Sequence, residues 1–325
     1  MHLPLDSKAP HRMLGNALRI GTVAIDHNVK VIHARSRAPA WSAFVAAWLV
    51  KVPFVTTYHG IYNASNALKR FYNSIMVRSD AIIANSQWTA DHIVEEHGIA
   101  RDKIHVVPRG VDFAEFDPPK VGADRVRAMR AAWRAKDGDV VVLLPGRLTR
   151  WKGQLVLIAA LAELRRTAKL GNVRAVLLGD AQGRDDYVAE LRTAIAADGL
   201  EDRVLIAPHT QDMPAAYMAS DMVVSASTDP EAFGRVAAEA AAMGRPVIAS
   251  NHGGARETVL HGVSGLLVPP DDAPALAVAI ERVASMSSAE RAAMGEQGRA
   301  HVRENFSLER MCADTLAVYR ELIRD

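Results

Sequence analysis

Four short segments carry side chains capable of chemistry, and each follows an apolar run. The first, EAFGRVAAE (231–239), sets Glu231 and Glu239 on either side of Phe233, Gly234 and Arg235. Glycine permits close backbone approach, and the free N–H groups of a helix start suit hydroxyl or phosphate oxygens. Two carboxylates so placed can accept hydrogen bonds from vicinal hydroxyls; the other reading is a solvated acidic face. The second segment, PGRLTRWKGQ (145–154), puts Gly146, Arg147 and Lys152 between an apolar run and a helical pattern. Two cations beside a helix dipole can clamp a diphosphate, or simply form an exposed basic turn. The G-x-x-x-x-G-K-[ST] spacing of a P-loop is not there. The third, SNHGGARETV (250–259), offers Gly253 and Gly254 as anion-lining backbone, with Glu257 where it also serves the dipole of the next helix. The fourth, TTYHG (56–60), ends a strand with His59 facing what lies beyond it, and APHTQD (207–212) places Pro208 and His209 similarly in the second half. A lone histidine is also a common packing residue. The histidines lack H-E-x-x-H spacing and there is no cysteine cluster, so no metal site is expected.

Elements that could hold these segments recur along the whole chain. Apolar runs at 29–34, 53–58, 81–85, 103–107, 140–145, 174–179, 203–207, 222–227, 246–250 and 265–269 read as strands. They are continuous rather than alternating, as expected of a parallel sheet covered on both faces. Helical patterns lie between them. One starts at Ser86 as cap and stops at Gly98; the last starts at Ser307, with Met311, Leu316, Val318, Tyr319 and Leu322 as its apolar positions. Repeating βα units predict doubly wound α/β domains, in which ligands bind beyond the carboxyl ends of strands. The 325-residue length is comfortable for two cores. The pair of prolines within 110–124 marks the boundary, giving domains at 1–118 and 119–306 and a terminal helix at 307–325.

Composition narrows the class further. No apolar run reaches the roughly 18 residues that span a bilayer, and the first residues do not read as a targeting signal. The lone Cys312 excludes an intramolecular disulfide and, within an apolar helical pattern, predicts a buried thiol in a reducing compartment, with cytoplasm as the default. Net charge is +2, but residues 1–90 carry ten Lys/Arg against three Asp/Glu. That surplus suits an anionic lipid surface, an anionic acceptor or nucleic acid, or is a solvated basic face.

Taken together and in order, TTYHG, ANSQWTADHI, VVPRGVD, GRLTRWKG, LLGD, the stretch YMASDMVVSASTDPEAFGRVAAEAAAMGRPVIAS, GGARETV and HGVSGLLVPPDD resemble glycosyltransferase family 4. The resemblance covers nearly the whole chain and is densest over 146–272. It implies a GT-B fold: two Rossmann-like doubly wound α/β domains facing a cleft, the first acceptor-side, the second binding a nucleotide sugar, and a final helix packing back on the first. By that resemblance Arg147 and Lys152 hold the donor diphosphate, Glu239 the ribose and Glu231 the donor sugar. Phe233 and Gly234 give backbone contacts, Gly146 and Arg235 line the donor site, Pro208 and His209 flank the base, and His59 approaches the transferred sugar. The implied reaction is retaining transfer from a nucleotide-diphosphate sugar to a glycan or lipid-linked acceptor in cell-envelope polysaccharide or lipopolysaccharide assembly. It needs no cofactor, no metal and no nucleic-acid partner, and it is cytoplasmic. The residues Lys69, Arg70, Arg78, Trp41 and Trp48 themselves suit peripheral contact with the inner membrane face, the other reading of Trp41 and Trp48 being core.

Two departures from the family pattern stand out. The strand, glycine-rich loop and helix that usually open the first domain are not evident before residue 29, so that domain is expected to be N-terminally shortened, with HLPLDSK as the tail of a strand and loop. Arg109 and Arg235 stand where relatives often carry asparagine and an aliphatic residue. The competing reading is a catalytically silent nucleotide-sugar-binding scaffold; an epimerase on the same fold would not need the paired glutamates.

Overall fold

The computed structural model describes residues 5, 9–62 and 65–324. The chain forms two compact units, one of residues 1–110 with 309–325 and the other of residues 111–308. The boundary drawn after residue 118 thus falls inside the second unit. Val111 is already tied there, its N–H donating to Phe306 O at 2.8 Å, and Phe116 packs in that unit's core. The segment HLPLDSK lies outside the described residues except for Leu5.

The first unit carries a parallel sheet in the order β1-β2-β3-β4, made of β1 (Ile32–Ala34), β2 (Phe54–Tyr58), β3 (Ala81–Ala84) and β4 (Ile104–Val106). Its helices α1 (Pro10–Asp26), α2 (Arg37–Val50), α3 (Ala67–Asn73) and α4 (Gln87–His97) precede or link those strands. With neighbours in chain order and right-handed crossovers, connecting helices fall on one side. Ile32, Phe54, Ile82 and Ile104 accordingly share a core with Ala43 of α2 and Ile93 of α4. The Ser86 cap appears as read, its side chain accepting from Thr89 N, and Gly98 ends α4 at φ 63°. Two readings change. The run at 29–34 is strand only from Ile32, because Asn28 turns at φ 49° and Val29 N–H bonds back to Ala24 O. The stretch before it, where no helix is evident in the sequence, is helix α1, whose buried side includes small residues (Ala17, Gly21, Ala24) that give little hydrophobic signal.

The second unit has six parallel strands: β5 (Val140–Pro145), β6 (Val173–Leu178), β7 (Val204–Ala207), β8 (Met222–Ser225), β9 (Val247–Ser250) and β10 (Gly265–Val268). Their order is β10-β9-β8-β5-β6-β7, so the winding reverses between β5 and β8. Eight helices flank them: α5 (Ala123–Ala132), α6 (Gln154–Arg166), α7 (Asp185–Ala197), α8 (Met213–Ala219), α9 (Arg235–Ala242), α10 (Ala255–Thr258), α11 (Ala273–Ala284) and α12 (Ser288–Asn305). Alternate β5 residues serve opposite cores: Val142 and Leu144 pack with Leu157 of α6 and Ile280 of α11, Val141 and Leu143 with Ala216 of α8 and Ala238 of α9.

The last helix, α13 (Leu308–Arg324), belongs to the first unit over its length from residue 309 and covers the sheet face that α2 and α4 leave. Val318 is buried with Val55 and Ile83, and Met311, Tyr319 and Leu322 pack against them. Leu316 and Cys312 fall outside this stripe: Leu316 is 47% exposed and the Cys312 thiol is exposed, which corrects the buried-thiol expectation. His33 of β1 joins helix to sheet, with Nδ1 2.6 Å from Tyr319 Oη and Nε2 2.7 Å from Thr57 Oγ1. Tyr319→Phe strips this half-buried imidazole of one partner and should cost about 1–2 kcal/mol in urea unfolding; an unchanged midpoint would show that apolar contacts alone hold α13.

Candidate functional site

The reversal between β5 and β8 opens a crevice at the strands' carboxyl ends, where open α/β sheets bind ligands. The loop after β5 carries Gly146, Arg147 and Lys152; the loop after β8 carries Glu231, Phe233 and Gly234. Far apart in sequence, Lys152 Nζ and Glu231 Oε1 meet at 2.8 Å, with their side chains 13% and 15% exposed. Ser227 Oγ also donates to Glu231, and the Lys152 ammonium lies 4.4 Å from the Trp151 ring centroid. Arg147 is exposed, and its side chain makes no hydrogen bond or ion pair among the described residues. Gly146 lies under the Lys152 stem, where an added Cβ would be 3.7 Å from Cδ.

Backbone contacts fix the loops against each other. Gly153 turns at φ +75° against the β8 loop, where a Cβ would stand 1.8 Å from Ala226 O. Thr228 N–H donates to Trp151 O at 2.8 Å, a second tie between the same loops. From the β9 loop, Gly254 N–H donates to Glu231 O at 2.8 Å, and a Cβ on Gly253 would fall 2.3 Å from that oxygen. The glycine pair read as an anion-lining backbone therefore also serves as the seat of Glu231. Phe233 turns its side chain inward, edge-on to Phe306 at 5.5 Å, while Gly234 caps α9 at φ 84°.

Glu239 and Glu231 share no hydrogen-bonding partner among the described residues. Nearly buried on α9, Glu239 accepts from Arg235 (Nη2 at 2.6 Å) and from Tyr217 Oη at 3.0 Å. Burial, with the Glu239 charge beside it, drives the Tyr217 phenol far up, so it stays a donor. Pro208 and His209 are exposed just past the carboxyl end of β7, and among the described residues His209 makes no hydrogen bond or ion pair with Lys152 or Glu231. Among those residues no group of three or more His, Cys, Asp or Glu is placed to hold a metal ion.

In the first unit His59 follows β2 and accepts from Arg35 Nε at 3.2 Å. It belongs to a pocket of about 370 Å³ lined by His33, Arg35, Asn85, Arg109 and Tyr319 among others, with no acidic residue in the lining. Burial first, then the Arg35 charge, holds His33 at about 4; burial, Arg35 and Arg109 do the same to His59. Both imidazoles are neutral at pH 7. Sequence reading missed His33 and Arg35, although Arg35 follows the end of a strand much as Arg147 does. It missed Tyr217 and Ser227 for want of any local signal.

Residues 126–301 match the family described as "Glycosyl transferases group 1", and residues 2–115 that described as "Glycosyltransferase Family 4". The D-inositol 3-phosphate glycosyltransferase of Xylanimonas cellulosilytica is 34% identical over 86% of this chain and 70% of its own. That of Salinispora tropica is 33% identical over 88% and 63%. Among solved structures, a glycosyltransferase from Rickettsia africae superposes with a TM-score of 0.89 at 35% identity, covering 98% of this chain and 83% of that one. Anabaena HepE in complex with UDP and glucose gives 0.81 at 30% identity, over 94% and 82%.

Two measurements test this geometry. Lys152→Met leaves the Glu231 carboxylate without its cation in a largely buried place and should cost about 3 kcal/mol of unfolding free energy. Adding Glu231→Gln should recover much of that; additive losses would show that the two side chains do not interact. For the histidines, the unfolded value near 6.5 exceeds the folded value of about 4. As pH falls through that window the unfolded chain takes up protons that the folded one refuses, so stability is full above it and lost within it. His59→Gln should therefore flatten the fall in urea midpoint between about pH 7 and pH 5; an unchanged slope would contradict the neutral imidazole.

Proposed function

The chain belongs to the glycosyl transferases group 1 family, and from that footing we propose that it moves a hexosyl group from a uridine-diphosphate sugar to an anionic acceptor, with retention of configuration. The observation carrying the proposal is the Lys152–Glu231 pair at the sheet's switch point, beside the exposed Arg147. Departure of a nucleoside diphosphate builds negative charge on the leaving oxygen, and preorganised cations stabilise such charge where it develops. Arg147 and Lys152 take that part, with backbone N–H groups around Gly234 as further donors. Released from Lys152, Glu231 accepts from hydroxyls of the donor sugar, while Glu239, steadied by Tyr217, accepts from the ribose. Arg235 and Gly146 line the same site, and Pro208 and His209 stand toward the base. Retention follows from acceptor attack on the face the diphosphate leaves, so no carboxylate nucleophile is required. His59 serves as a neutral hydrogen-bonding group toward the transferred sugar. The proposal includes no cofactor or metal; the two side-chain cations supply the charge.

The acid-free pocket around Arg35 and Arg109 supports an anionic acceptor. Our first reading is a lipid-linked or glycan acceptor of cell-envelope assembly, with the enzyme in the cytoplasm. The relatives' printed names favour a second, a phosphorylated inositol. The silent-scaffold alternative is disfavoured because Lys152 and Glu231 stand paired at the switch point and Arg235 and Glu239 pair on α9.

Calorimetry with UDP, GDP, ADP and their sugar conjugates tests the donor site. UDP should bind, and Lys152→Ala should weaken it roughly 10- to 100-fold through loss of a charge-assisted bond. A folded protein that binds none of them would end the transferase reading, and an inverted anomer in the product would end the retaining one.

A further inference from the structure

The basic surplus of the first unit is concentrated, and it coincides with exposed apolar side chains. Residues 27–79 contain seven Lys/Arg and no Asp or Glu. Arg35 and Arg37 of that set turn to other tasks, in the pocket and against Asn73 and Tyr62. The others include Lys51, at the end of α2, and Arg78, just before β3, which line a concavity of about 500 Å³ together with Trp48 and Leu49. Trp48 is 74% exposed and Leu49 45%. The apolar surface continues onto α3. Arg78 lies 5.6 Å from the Phe71 ring, that ring packs 5.3 Å from Trp41, and Trp41 is two helical turns before Trp48 on α2. Phe71 is 56% exposed, and Leu68, three residues before it on the same helical side, is 77% exposed. Lys69, beside Leu68, is exposed as well. The one carboxylate in the concavity, Asp80, is taken up by Phe54 N–H at 2.7 Å.

We propose that this α2–α3 surface docks on an anionic lipid bilayer, with Trp48, Leu49, Leu68 and Phe71 entering the headgroup region and Lys51, Lys69 and Arg78 meeting lipid phosphates. The inference stands independently of the transferase reading. Exposed aromatic and aliphatic side chains ringed by cations are what an interface requires: apolar area to bury in the acyl boundary and charge to meet the negative leaflet. A soluble protein partner of matching chemistry would need an acidic face, whereas a bilayer supplies both components at once. Tryptophan has its ordinary place at such an interface, and long cationic stems keep their heads at phosphate level while their methylenes pack below. No helix among the described residues is long and apolar enough to cross a membrane, so the contact is with the surface.

The test is sedimentation of the full chain with phosphatidylcholine vesicles and with vesicles of phosphatidylcholine and phosphatidylglycerol in equal parts. Binding should occur on the anionic vesicles only and weaken with salt. Lys51→Gln with Arg78→Gln should lower partitioning roughly 25-fold, about fivefold for each charge near the surface. These side chains are away from the switch-point site, so UDP binding by the same variants should stay unchanged and reports that they are folded. Tryptophan emission should shift to the blue on anionic vesicles in the parent protein and lose most of that shift in Trp48→Ala. Equal partitioning to both vesicle types, no partitioning to either, or unchanged partitioning in the double variant would each overturn the proposal.

Discussion

A lysine and a glutamate, both largely withdrawn from water, are the constraint around which the second unit is arranged. Taking two charges out of water costs several kcal/mol per ion, and their attraction offsets that only when geometry and further hydrogen bonds are good. The chain meets the condition by delivering the partners on rigid elements. Lys152 closes a short turn before α6, and Glu231 precedes α9, each following a central strand buried on both faces. Ser227 donates to the carboxylate and the Trp151 ring faces the ammonium, so neither charge depends on the other alone. The close approach of three loops is possible only because Gly153, Gly253 and Gly254 have no Cβ at their contacts. Backbone packing thereby sets the ion pair's position before any ligand arrives.

The first unit handles charge in the opposite manner. Its pocket gathers Arg35 and Arg109 with two histidines, and no carboxylate lines it. Burial first, and then the neighbouring arginine charges, keep both histidines neutral. One unit therefore stores its cation against an internal acid that a diphosphate could displace. The other keeps its cations in a pocket whose lining carries no acid.

What could be read from sequence follows the range of the forces involved. Strands buried on both faces announce themselves as continuous apolar runs, so nine of the ten were placed to within two residues and β1 was overextended by three. Caps are equally local, and Ser86 with Gly98 bounded α4 correctly. The motif residues were visible because the loops after β5 and β8 put charged and glycine residues in short, unusual strings. Their pairing was not visible, because it depends on the strand order reversing between β5 and β8. Tyr217 is a similar case: nothing near it in sequence says that Glu239 needs its hydroxyl. Helix α1 went unread because alanine and glycine form its buried side, and the Cys312 thiol was misplaced because one helical step separates Met311, which faces the sheet, from a residue that does not.

The same range argument explains why a net charge of +2 says so little. Screening at physiological salt confines the influence of exposed charges to about 8 Å. A surplus of cations in one stretch of chain therefore acts only where folding sets each one down. Arg35 is set beside His59 in the pocket, where its field is felt by buried groups and screened little. Lys51, Lys69 and Arg78 are set on the α2–α3 surface, where water and salt leave them short-ranged and fit for a partner that comes into contact. One acid-free segment can thus serve a small anion within a pocket and a charged surface outside it without conflict between the two.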